Sequence, residues 1–94
     1  MGRFSYEERK AVYDAALGKW GQKMQCTVAI EEMSEVIKEI TKSMRGELHR
    51  EHLAEEIADA KIMLEQLVLM FDVNDSVDSW MDYKIADLQR KVRK

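Results

Sequence analysis

Apolar side chains recur along this chain at the spacing of one face of an α-helix. Met33, Val36, Ile37, Ile40 and Met44 fall three and four apart, as do Leu53, Ile57, Ala60, Leu64, Leu67, Val68 and Phe71, and that period predicts helices. Upstream, Ser5 and Glu8 stand in the Ser-x-x-Glu relation of a capping box, and Gly18 offers the left-handed residue that closes a helix. The pattern predicts four helices and no strands. The first runs roughly from Ser5 to Leu17, and a linker from Gly18 to Gln22 follows. The second covers about Lys23 to Met44 and stops at Gly46, and after a polar turn from Arg45 to Arg50 the third covers about Glu51 to Phe71. The turn-like Asp72-Val73-Asn74-Asp75 then leads, with Asn74 or Asp75 as cap, into a last helix bearing Val77, Trp80, Met81, Ile85, Leu88 and Val92.

Composition agrees with an all-α chain. The 94 residues contain no proline and four glycines, and Ala, Leu, Met, Glu, Lys and Gln, which lose little on entering a helix, are abundant. At 46% hydrophobic and 35% charged the chain is a globular single domain, too apolar for intrinsic disorder. A formal net charge of -3 and a pI near 5.4 supply no positive field for a nucleic-acid polymer or an anionic membrane. The five cations Lys84, Arg90, Lys91, Arg93 and Lys94 instead suit the negative end of the last helix. A lone Cys26, a start MGRFSYEER with no apolar signal core, and a longest apolar run of only Leu67 to Phe71 lead to the expectation of a cytoplasmic protein. So much apolar surface on so short a chain leads also to the expectation of self-association, as a homodimer or homotetramer. The seven methionines read as adaptable core filler.

At about 100° per residue, Glu32, Glu35 and Glu39 fall within about 60° of arc on the second helix, beside the apolar arc of Ala29, Met33, Val36 and Ile40. On the third helix Glu56 and Asp59 fall equally close together, next to Leu53, Ala60 and Leu67. If these helices pack antiparallel, as a short connection favours, carboxylates from both converge on one point. Such a cluster must take up protons or bind a cation, and hard oxygen ligands without Cys or His favour magnesium, with manganese as a substitute.

The order Glu31-Glu32-Met33-Ser34-Glu35, then 20 residues, then Glu56-Ile57-Ala58-Asp59 resembles the signature of the MazG-like nucleoside triphosphate pyrophosphohydrolases, of the all-α NTP pyrophosphatase group. The surrounding Ala29 to Ile40 and Leu53 to Ala60 are similar to that family too, and the resemblance extends from about Trp20 to Arg90. It implies a four-helix, bundle-forming MazG-like fold assembled as an oligomer, with hydrolysis of a nucleoside triphosphate to monophosphate and pyrophosphate. Glu32, Glu35, Glu56 and Asp59 would then be magnesium ligands, and Glu31 or Glu35 would orient or deprotonate the attacking water. Lys84 and Arg90 resemble basic residues that meet the phosphates, and Trp20 and Gln25 resemble positions that hold the nucleobase by stacking and by an amide hydrogen bond. Two other readings stand beside this one: a helical interaction module whose acids are a solvated face, and a relative hydrolysing another nucleotide such as phosphoribosyl-ATP.

Other signals carry less. His49-x-x-His52 lacks the Glu-x-x-His of a di-iron bundle and reads as a polar turn. Asp72-Val73-Asn74-Asp75-Ser76 opens like a calcium loop, but Val77 and Tyr83 stand where a Gly and a bidentate Glu are needed. Cys26 reads as a buried, inert thiol, and Lys38, Lys42 and Arg45 as surface charges.

Overall fold

The computed structural model describes residues 2–94 and is all-helical, with no strand among the described residues. Three helices follow in order: α1 (Tyr6–Met44), α2 (Arg50–Met70) and α3 (Asn74–Val92). The two segments expected before Met44 are two arms of α1, joined at a kink. Its centre is Gly21, at φ 84 and ψ 162, a conformation essentially closed to residues with a Cβ. The expected five-residue linker thus shrinks to one residue, and Gly18, expected to end the first helix, lies inside it. Nothing else in this stretch breaks the hydrogen-bond ladder, so helix-forming residues on both sides extend up to the kink.

The capping box at the start of α1 forms as expected. The Glu8 backbone N–H donates to Ser5 Oγ at 3.1 Å, and the Ser5 backbone N–H donates to Glu8 Oε1 at 2.7 Å. Those bonds to Ser5 hold the Glu8 carboxyl below its ordinary pKa. At the other end Gly46 takes φ 78, with its N–H on the Ser43 carbonyl and that of Glu47 on the Lys42 carbonyl; this is the Schellman closure. The same closure ends α2, but Asp72 occupies the left-handed position at φ 52. His49 is the N-cap of α2, its Nδ1 accepting from the His52 N–H at 3.2 Å, so the histidine pair serves the turn. For α3 the cap position falls on Val73, without a side-chain cap bond. Asn74 and Asp75, expected as caps, are already inside the helix.

Both arms of α1 pack on α2, and α3 meets α2 far more sparingly. Among the described residues the backbones of α3 and α1 make no close approach, although Tyr6 and Asn74 line one shared hollow, and α3 has no buried residue. The core is correspondingly thin: Tyr13, Ala29, Ala60 and Met63, with the polar Gln25, Glu39 and Gln66 among them. Ile37, Ile40, Met44, Ile57, Leu64 and Phe71, positions of the apolar faces expected to be core, remain exposed in the single chain. Cys26, expected to be buried, is half-buried. Among the described residues no helix is long and apolar enough to cross a membrane.

Candidate functional site

Where α1 packs on α2, Ala29 and Ala60 are both buried. Their small side chains let two helical backbones approach closely, and each carries an acid one turn away on the same face. Glu32 lies three residues beyond Ala29, and Glu56 lies four before Ala60, with Asp59 adjoining it. The result is a half-buried cluster in which Glu32, Glu56 and Asp59 each offer a carboxylate oxygen, all within 4.8 Å of one another. Two of these residues sit on α2 and one on the second arm of α1, as the wheel positions require.

The electrostatics are one-sided. Desolvation pushes the Glu32 carboxyl above its ordinary pKa, and the charges of Asp59, Glu56, Glu35 and Glu31 push it the same way. Glu56 is also raised, first by desolvation and then by Glu35, Asp59, Glu55 and Glu39. Like charges held this near one another favour protonation or a cation. Three carboxylates from two rigid helices, with no sulfur or imidazole among them, suit a hard, oxygen-seeking ion such as magnesium or manganese.

Of the five acids singled out from sequence, the fold thus gathers Glu32, Glu56 and Asp59. Glu35 and Glu31 are exposed on α1, outside that group, yet close enough for their charges to act on it. Glu39, on the same arc but outside the motif, is 6% exposed and pairs with Lys42 at 3.5 Å. Lys42, expected on the surface, is therefore half-buried beside it.

Trp20 and Gln25 come together at the kink. They line one groove of about 390 Å³ with Ala16, Met24, Val28, Met63 and Gln66. Trp20 leaves 54% of its surface open, whereas Gln25 is buried. Gln66 is the participant that sequence reasoning missed. It is buried on α2, and its Nε2 reaches Met63 Sδ at 3.2 Å. The helical period read from Leu53 to Phe71 places position 66 on the far side of the helix, so nothing in the sequence marks it as core or pairs it with Gln25.

Lys84 and Arg90 stand apart from both features. They are exposed on α3, where Lys84 Nζ lies 5.7 Å from the Trp80 ring centroid and Arg90 bonds Asp87 at 3.2 Å. The backbone of α3 makes no close approach to that of α1, and Arg90 pairs with Asp87 rather than with an acid of the cluster.

Searches against family models, curated proteins and solved structures find no match to this chain.

Proposed function

We propose that the protein is a magnesium-dependent nucleoside triphosphate pyrophosphohydrolase of the MazG-like type, releasing monophosphate and pyrophosphate and working as a homodimer or homotetramer in the cytoplasm. The observation that supports it most is the meeting of Glu32, Glu56 and Asp59 across two helices within 4.8 Å. Like charges gathered at a helix–helix contact repel one another, and a bound cation would relieve that repulsion. A magnesium ion, or manganese in its place, would neutralise phosphate charge and acidify water there.

The chain's residues divide the remaining work. Glu32, Glu56, Asp59 and the nearby Glu35 would hold the cation. Glu31 or Glu35, exposed at the edge of the cluster, would take the proton from the attacking water. The groove beside Trp20 would take the nucleobase, with the indole face stacking and the Gln25 amide reading its edge. Lys84 and Arg90 would meet the phosphates.

A panel of NTPs and dNTPs with magnesium, with monophosphate and pyrophosphate both quantified, tests this directly. Turnover of at least one triphosphate in equal yield of the two products is expected. No turnover across the panel leaves the acids as a solvated face and the chain as an interaction module. Cleavage of phosphoribosyl-ATP in place of triphosphates would move the substrate to that relative.

A further inference from the structure

Two glutamines are sunk into the packing of α1 on α2 with their amide heads left largely unpaired. Gln25 is 4% exposed and Gln66 is 8% exposed, and both line the groove beside Trp20, whose other walls include Ala16, Val28 and Met63. Glutamine is mostly an exposed residue, and where it is buried its head ordinarily finds a partner. Here the Gln25 amide makes no hydrogen bond to another described residue, and Gln66 makes one, from Nε2 to Met63 Sδ at 3.2 Å.

That single bond fixes how the Gln66 amide is turned. A thioether sulfur only accepts, so the amino end faces Met63 and the carbonyl oxygen Oε1 is left free. No side-chain nitrogen or oxygen among the described residues is both sealed from solvent and without a partner. The slight exposure of the two glutamines therefore includes Gln66 Oε1 and both ends of the Gln25 amide, and the opening these residues line is the groove. It offers one fixed acceptor, from Gln66, and a second amide that supplies a donor and a further acceptor. Its other walls are mainly apolar, and its volume of about 390 Å³ is that of a small-molecule site.

Nucleobases differ in how they meet that set. The Gln25 amide alone discriminates little, because one donor and one acceptor can pair with an edge of any base. The second acceptor changes this. Cytosine, adenine and guanine each carry an exocyclic amine and have N–H groups enough for both glutamine oxygens, with a ring nitrogen or carbonyl left for the Gln25 N–H. Uracil, thymine and hypoxanthine have a single N–H on the same edge, so one glutamine oxygen would be buried against them without a proton.

We propose that Gln66 is a specificity-determining residue of this groove and, with Gln25, selects bases bearing an exocyclic amine over their oxo counterparts. The selection rests on the reading of the groove as the nucleobase site and takes it one step further. A buried acceptor left unpaired is costly, and sites built around such groups reject the analogue that lacks the donor.

The test compares ligands that differ in amine against oxo group: the α,β-imido analogues of CTP and UTP, and of ATP and ITP, which cannot be cleaved between the α and β phosphorus. Calorimetric titration of the wild-type protein with magnesium should give binding at least about 10-fold tighter for the amine-bearing member of each pair. Gln66→Met, and separately Gln66→Leu, remove the amide but remain apolar helix formers. Each should bring both pairs within about 3-fold by weakening the amine-bearing member, with helical circular dichroism kept. Equal affinities within the pairs on the wild type, tighter binding of the oxo members, or a preference that survives in both variants overturns the proposal. Binding of none of the four overturns it together with the reading of the groove as a base site. The titration needs no turnover, so a protein that selects amine-bearing analogues yet hydrolyses no triphosphate counts against the hydrolase alone. A hydrolase that turns over CTP and UTP alike and binds their analogues equally counts against the selection alone.

Discussion

Arg9 holds Glu65 with both prongs of its guanidinium, Nε on Oε1 and Nη2 on Oε2, each at 3.0 Å. The two residues are 56 apart in sequence, and the pair ties the first arm of α1 to α2. Tyr13 donates its hydroxyl to the same carboxylate. Burial, followed by the bond to Glu65, pushes the Tyr13 phenol up to about 12, so the donor stays neutral across the working pH range. The hydrogen bond from Arg9, joined by that from Tyr13, holds the Glu65 carboxyl below its ordinary value.

Removing the Tyr13 hydroxyl should therefore cost more than an exposed hydrogen bond would. Tyr13→Phe keeps the buried ring and leaves Glu65 with Arg9 alone, so a loss of about 1 kcal/mol is expected, or roughly 4–8 °C in a thermal melt of a domain this size. Because the folded Glu65 has a lowered pKa, its contribution is present above the ordinary value of 4.5 and fades as pH falls through the folded pKa. Glu65→Gln should flatten that acid limb of the stability curve.

The acidic cluster has the opposite sign. Glu32 and Glu56 are raised above 4.5 in the fold, so their protonated forms favour the folded state, and that stability is lost as pH rises through the folded values. Without magnesium, melting temperature should decline from about pH 4.5 toward neutrality, and Glu32→Gln or Glu56→Gln should flatten the decline and raise the melt at pH 7. Saturating magnesium should restore wild-type stability at pH 7, through binding to the folded form, and should do little for either variant. A wild-type melt at neutral pH that is indifferent to magnesium would leave the cluster without a cation.

How far the sequence alone reaches is visible in these same residues. The helical period and the paired acids on two faces predict that Glu32, Glu35, Glu56 and Asp59 converge; Glu32, Glu56 and Asp59 do so, whereas Glu35, on the same arc of its helix, stays outside, because a wheel position gives the face but not the line along which two helices meet. Arg9 and Glu65 were not legible: each is one charged residue among many, and only the kink at Gly21 decides which face the first arm presents to α2. The kink itself was displaced, since Gly18 and Gly21 have equal propensity to end a helix and the choice lies in tertiary packing. The caps of α3 were misplaced by one or two residues, falling on Val73 in place of Asn74 or Asp75, because Asp72 adopts the left-handed conformation that a glycine ordinarily supplies.

The two glycines should accordingly respond to alanine in opposite directions. At Gly18 the backbone is helical and an added Cβ meets nothing within 4 Å, so Gly18→Ala should stabilise by about 0.5–1 kcal/mol. At Gly21 space is equally open, but φ is +84, and Gly21→Ala should cost about 1–3 kcal/mol in backbone strain. Paired denaturant titrations check both. A stabilising Gly21→Ala would mean that α1 straightens readily, and the Trp20 and Gln25 groove would then lose its shape.

The separation of Lys84 from the acids makes the last prediction specific to the assembly. Glu56→Gln and Asp59→Asn should each abolish turnover with helicity intact, because they remove a ligand charge while relieving repulsion in the apo cluster. Lys84→Ala should also be inactive if Lys84 meets phosphate. Since the backbone of α3 makes no close approach to α1 of its own chain, the Lys84 that serves one cluster is expected to come from the partner. When Glu56→Gln and Lys84→Ala chains exchange, half of the dimers pair the two. In each such dimer one site would combine the intact acids of one chain with the intact Lys84 of the other. About a quarter of wild-type activity should then return at equal mixing of two inactive proteins. No recovery, with exchange proven by mass, would place the acids and Lys84 of each site on the same chain and require α3 to swing toward its own α1 when nucleotide binds.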